Sequence, residues 1–112
     1  MDARLQDTAR VTLNASGVGT IRFGPGRPRE HWTITRVSCQ VSTKVLEAEF
    51  KVYRGSIGPG TFISGSVSGS TGDSDDGLKE GLNAGEYLSA QWTGGDVGAI
   101  ATLTYWGNIV IQ

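Results

Sequence analysis

Apolar residues recur at every second position along most of this chain, and the 3.6-residue spacing of a helix is sustained nowhere. In ARVTLNA, Ala9, Val11, Leu13 and Ala15 share one parity while Arg10, Thr12 and Asn14 take the other, which predicts a half-buried strand. Ser16-Gly17 then turns the chain and VGTIRFG returns with Ile21 and Phe23 on one face, predicting a hairpin. HWTITRVSCQVST alternates for longest, but Trp32 and Ile34 sit on one parity and Val37, Cys39 and Val41 on the other. A one-residue slip flips every side chain, so a bulge near Thr35-Arg36 must reconcile the two sets, or the strand crosses between two covered faces.

AEFKVYR alternates cleanly, with Ala48, Phe50 and Val52 inward and Glu49, Lys51 and Tyr53 outward. The glycine- and serine-rich segment 55–77 has Phe62, Ile63 and Val67 as its few anchors. It predicts one edge strand and then a long exposed loop of low local stability through Asp76. Leu82 faces the core and Gly85 turns the chain before Leu88, Ala90 and Trp92 resume the alternation. TGGD reads as a second hairpin turn. Beyond it Ala99, Ala101, Leu103 and Tyr105 alternate with Ile100, Thr102, Thr104 and Trp106, and Gly107 marks a kink.

The sum is seven or eight short strands with turns every 8–12 residues. That pattern predicts an all-β chain folded as a single-domain β-sandwich, jelly-roll-like or immunoglobulin-like. Residues 1–8 are polar and charged, and they are expected to form an N-terminal arm ahead of the sandwich at 9–112. The composition agrees: 17 glycines and only 3 prolines in 112 residues, with no collagen-like period. One cysteine, Cys39, excludes an internal disulfide framework. MDARLQDTAR lacks the apolar stretch of a signal peptide, and no run approaches the ~20 residues of a membrane span. The expectation is a soluble protein made without export.

Net charge is −1, but residues 1–54 carry nine basic groups against five acids, and residues 55–112 carry Lys79 against six. Arg22, Arg27, Arg29 and Arg36 are too few for a nucleic-acid surface on a slightly acidic chain. Catalytic constellations are missing too. His31, beside Trp32, is a strand-end residue with no nucleophile in its pattern, and Cys39 has core parity. One His and one Cys cannot build a zinc site, so no cofactor is expected. Gly17-x-Gly19 and Gly24-Pro-Gly26 lack the remaining residues of nucleotide loops. Asp73-Ser-Asp75-Asp76-Gly77 is the best calcium candidate, yet it fails the EF-hand spacing. Glu47 and Glu49 share a strand face with Lys51, which fits solvent exposure better than paired acid–base work. No enzyme is expected. Tyr53, Tyr87 and Trp106 fall on parities opposite the core sets, so they are the candidates for exposed aromatic binding residues.

Three stretches carry a resemblance: GVGTIRFGPGRPREHWTITRVSCQVST, FKVYRGSIGPGTFISGSVSG and LNAGEYLSAQWTGGDVGAIATLTYWG. Their Trp-x-Ile-x-x-Val strand, Val-Tyr-x-Gly strand end and Leu-x-x-Gly-Glu-x-Leu-x-x-x-Trp phrase resemble small virion proteins of tailed bacteriophages, those infecting actinobacteria above all. The resemblance implies a structural protein of the virion, assembled in the host bacterial cytoplasm. It implies a capsid decoration or cement protein that binds the major capsid protein or other virion proteins as a homo-oligomer, a trimer first. Arg4, Leu5 and Arg10 of the arm region and Arg27 and Arg29 of the following loop are then the capsid-contact candidates. The alternative it implies is a minor tail or adsorption protein that recognises a cell-surface glycan through Tyr53, Tyr87 or Trp106.

Overall fold

The computed structural model describes residues 2–42, 48–68, 73–75 and 78–111. Its strands form two antiparallel sheets. They are β1 (Asp2–Thr12), β2 (Gly19–Phe23), β3 (Glu30–Val41), β4 (Ala48–Arg54), β5 (Phe62–Ser68), β6 (Asp73–Asp75), β7 (Glu80–Asn83), β8 (Leu88–Thr93) and β9 (Ile100–Ile111). The long sheet runs β1-β9-β3 and then β6 and β7, which pair with successive stretches of the same edge of β3 and so share one position. The short sheet runs β2-β8-β4-β5. The expected sandwich is there, with eight strand positions, four in each sheet.

The partners nest: β1 with β9, β2 with β8, β3 with β6 and β7, β4 with β5. This is one long antiparallel ribbon rolled up on itself, the jelly-roll arrangement rather than the immunoglobulin one. It overturns both expected hairpins. Residues 13–18 and 94–99 do not return the chain to its own sheet; they carry it from one sheet to the other. They cross side by side as one corner of the ribbon, joined by Leu13 N–H to Ala99 O (2.8 Å), Gly98 N–H to Leu13 O (3.0 Å) and Gly95 N–H to Gly17 O (3.2 Å). Gly17 has φ +72°, and a Cβ there would fall on the Gly95 carbonyl oxygen, so glycine is required at this crossing. Asn14 shapes the bend through Oδ1, which accepts from the N–H groups of Ser16 and Val18.

The parity switch in β3 is a bulge. Ile34 pairs with Gly107 and Arg36 with Trp106, leaving Thr35 as the extra residue. Trp32 and Ile34 thereby face the same core as Val37, Cys39 and Val41. The core also holds Leu13, Phe50, Leu82, Leu88, Trp92, Ala101 and Leu103, and each large aliphatic side chain removed from water contributes roughly 1.5–3 kcal/mol. Trp92 lies at its centre with Phe50 at 5.0 Å between ring centroids. Tyr105 stacks between Phe23 (4.6 Å) and Trp32 (6.0 Å).

Residues 2–8 differ from the arm expected of them. They are the first half of β1, paired with β9 from Asp2↔Val110 onward. Leu5 belongs to the core, 5 % exposed. The inward parity of Ala9, Val11 and Leu13 continues back through Asp7 to Leu5. The polar residue in that row is satisfied at the sheet edge, where Asp7 accepts from the Thr8 N–H (2.8 Å) and the Tyr105 hydroxyl (3.3 Å).

Candidate interaction surface

On β1 and β9 the even-numbered side chains form the outer face of the long sheet. Arg4, Gln6, Thr8 and Arg10 stand on β1, all exposed, opposite Asn108, Trp106, Thr104 and Thr102 of β9. Thr8 and Thr104 touch through their hydroxyls at 3.1 Å. On the far side of β9, the bulge returns Arg36 to this outer face, where its guanidinium lies over the Trp106 ring at 4.4 Å from the centroid. Arg4, Arg10 and Arg36 thus share one face of the sheet with Trp106, with Arg36 over its ring and Arg10 farther along β1. No carboxylate forms an ion pair with any of the three among the described residues, whose ion pairs are Arg27–Glu30, Lys51–Glu49, Arg54–Glu80 and Arg54–Glu86.

The bulge also sculpts this face. Where β3 swells past β9, a Cβ on Gly107 would collide with the Thr33 carbonyl, and glycine lets the two backbones approach. Beside it opens a shallow depression of about 500 Å³ lined by Arg4, Thr35, Trp106, Gly107 and Asn108 among others. The Thr35 hydroxyl reaches the Trp106 carbonyl at 3.5 Å. Arg4 and Trp106, singled out on separate grounds, are therefore neighbours. Thr35 and Arg36 were expected at a bulge, and Arg36 among too few basic residues for a nucleic-acid surface, but neither was a contact candidate.

The other candidates scatter. Arg27 and Arg29 are exposed in the loop after β2, at the same end of the long sheet as the start of β1. Arg27 approaches Glu30 at 3.9 Å, and Arg29 adopts φ +72°, an uncommon conformation for a residue with a Cβ. Leu5 is a core residue and not a surface contact.

Tyr53 is not an exposed aromatic, since only 8 % of it is accessible. A second register shift, between Val52 and Tyr53 in the β4–β5 ladder, sets it beneath Phe62, which meets it edge-on at 5.9 Å. Phe62 itself is 49 % exposed. Together with Lys51 and Gly58 these rings line a groove of about 460 Å³ on the short sheet, next to the Lys51–Glu49 pair at 2.7 Å. Tyr87 is half-buried, with the Arg22 guanidinium over its ring at 4.9 Å.

The residues weighed for catalysis have structural surroundings. His31 Nδ1 is 2.8 Å from Asn83 Oδ1, on the neighbouring strand β7. Cys39 is buried, Glu49 faces Lys51, and Glu47 lies outside the described residues. So do Asp76, Gly77 and the side chains of Asp73 and Asp75, on which the calcium reading would rest; the backbone of Asp73–Asp75 pairs with β3 as β6.

No protein-family model and no curated protein matches this chain. Among solved structures it is similar to the cryo-electron microscopy structure of the virus-like particle of the giant freshwater prawn Macrobrachium rosenbergii extra small virus. That similarity has 12% sequence identity and a TM-score of 0.42, and it covers 94% of this chain and 79% of that one. At this identity and overlap the likeness carries no functional argument.

Proposed function

We propose that this chain is a non-enzymatic structural protein of a virion, a decoration or cement protein bound to the outside of a phage head. The observation that carries the reading is the strand order, β1-β9-β3-β6/β7 packed on β2-β8-β4-β5. Jelly rolls of this kind serve viral shells, and they also serve lectins and cupins. Fold alone therefore supports several functions, and the virion motifs of the sequence favour the first. The flat, polar face of the long sheet suits attachment to a lattice better than turnover of a small substrate. Attachment on this reading runs through the ordered face of β1 rather than through a free arm. Major capsid protein is the partner, and several copies close around a symmetry axis, with a trimer expected.

Purified chain mixed with phage heads that lack it should sediment with them and saturate at a fixed ratio to the capsid subunits. Failure to sediment with heads of the encoding phage would refute this role. A second reading, an adsorption module on a tail, is favoured by one observation, the exposed Phe62 beside Tyr53 in the short-sheet groove. It predicts that host cell-wall glycans bind the chain and that Phe62→Ala abolishes the binding.

A further inference from the structure

We infer that the depression beside Trp106 is a carboxylate-binding site, and that an acidic surface of a neighbouring protein subunit docks on it. The inference rests on the virion reading only for the identity of that subunit. Arg4 and Trp106 line the depression, Arg36 stacks on Trp106, and Arg10 stands farther along β1. At about 3.4 Å per residue, Arg4 and Arg10 are roughly 20 Å apart along the strand, with Arg36 about 10 Å to the side, two strand spacings away.

The contact of the Arg36 guanidinium with the Trp106 ring is a cation–π contact, which does not itself consume N–H donors. Those donors lie in the plane of the guanidinium, and a carboxylate can accept two of them side by side. Asn108 adds an uncharged donor at the rim through its side-chain amide. A guanidinium with no ion pair among the described residues, lying over a tryptophan, has the composition of a protein–protein contact, where Arg and Trp serve as anchors.

Charge decides between classes of partner. Three cations on a chain of net charge −1 complement a few carboxylates. A nucleic-acid strand presents a phosphate at every nucleotide and calls for a denser basic track. The aromatic face that would stack a base is already covered by Arg36.

The test uses the intact chain, with poly-L-glutamate as probe and an oligothymidylate of equal charge as comparator. Binding is followed by tryptophan fluorescence and by NMR shifts at the Trp106 indole. Trp92 is buried and Trp32 packs against the core from the inward face, so Trp106 carries the larger response, and the NMR shifts at its indole separate it from Trp32. The expected result is saturable binding of poly-L-glutamate that weakens with salt. Arg4→Gln and Arg36→Gln should each weaken it by about tenfold, the loss of one charge-assisted contact. Arg36→Lys keeps the charge but loses the planar donor fork, and it should not restore binding. Unaltered unfolding midpoints establish that the variants are folded. Equal binding by wild type and both glutamine variants, tighter binding of the oligothymidylate, or no response at Trp106 would each overturn the proposal. Loss of head binding with the poly-L-glutamate site intact would instead refute the virion reading and leave the site standing.

Discussion

Replacing Gly107 by alanine tests the bulge on which both the core of β3 and the outer-face depression depend. An alanine Cβ would land on the Thr33 carbonyl oxygen, 2.8 Å from its carbon and 3.1 Å from the Ile34 Cα. All three are backbone atoms, so no side chain can rotate away. Nor can the strands part easily, because β3 and β9 are paired on both sides of the bulge, from Glu30↔Ile111 to Ile34↔Gly107 and from Arg36↔Trp106 to Val41↔Ala101. Overpacking of this kind costs about 1–3 kcal/mol or more. The restriction that alanine imposes on the unfolded chain returns only about 0.4–1 kcal/mol. The net expectation is a loss of about 2 kcal/mol, a fall in Tm of roughly 8–16 °C for a domain this size. Gly26→Ala is the control, since a Cβ there meets nothing within 4 Å and its φ is not positive. Thermal and urea unfolding of the two variants supply the comparison. Equal stability of Gly107→Ala and Gly26→Ala would refute the close approach of β3 and β9 at Gly107, and with it the geometry of the depression.

Other consequences can be measured independently. Burial, with the Asp7 carboxylate and its hydrogen bond as lesser causes, pushes the Tyr105 phenol up to about 12 from 10.0. A phenol raised in the folded state favours folding fully below pH 10 and loses that contribution as pH climbs toward 12. Stability should therefore fall by on the order of 2–3 kcal/mol across that window. Tyr105→Phe should flatten the fall, and an unchanged slope would contradict the assignment. Leu5→Ala should cost roughly 2–3 kcal/mol in urea unfolding, whereas an arm residue would cost nothing. Deleting residues 2–8 removes seven of the eleven β1–β9 pairs and should leave an unfolded or aggregating chain by circular dichroism and gel filtration. The Trp92 indole N–H is buried with no acceptor among the described residues. Trp92→Phe should consequently cost less than about 2 kcal/mol, well below the 3–5 kcal/mol of a tryptophan-to-alanine truncation. A larger loss would show that the N–H is satisfied.

The strands were legible because alternation is local, and the bulge at Thr35 was legible because two apolar sets of opposite parity met inside one strand. The corners were not. Asn14-Ala15-Ser16-Gly17 and Thr93-Gly94-Gly95-Asp96 carry ordinary turn residues, and nothing nearby states whether the chain returns to its own sheet or crosses to the other. The answer lies in hydrogen bonds between the two segments, some eighty residues apart in sequence. Tyr53 misled for a related reason: AEFKVYR alternates without a break, while the shift that buries Tyr53 belongs to its pairing with β5. The first half of β1 was hidden by Asp7, a charge on the inward parity that Thr8 and Tyr105 accommodate at the sheet edge. On the outer face, Trp106 was visible as a parity-exposed residue, and Arg4 only as an arm contact implied by the resemblance. Their meeting with Arg36 needed the register of three strands at once.

Immunogold labelling of intact virions from the source of this chain, with antibody raised against it, tests the proposed decoration role most directly. The account predicts gold particles spread over the head. Label confined to the tail, or absent from every particle, would contradict it.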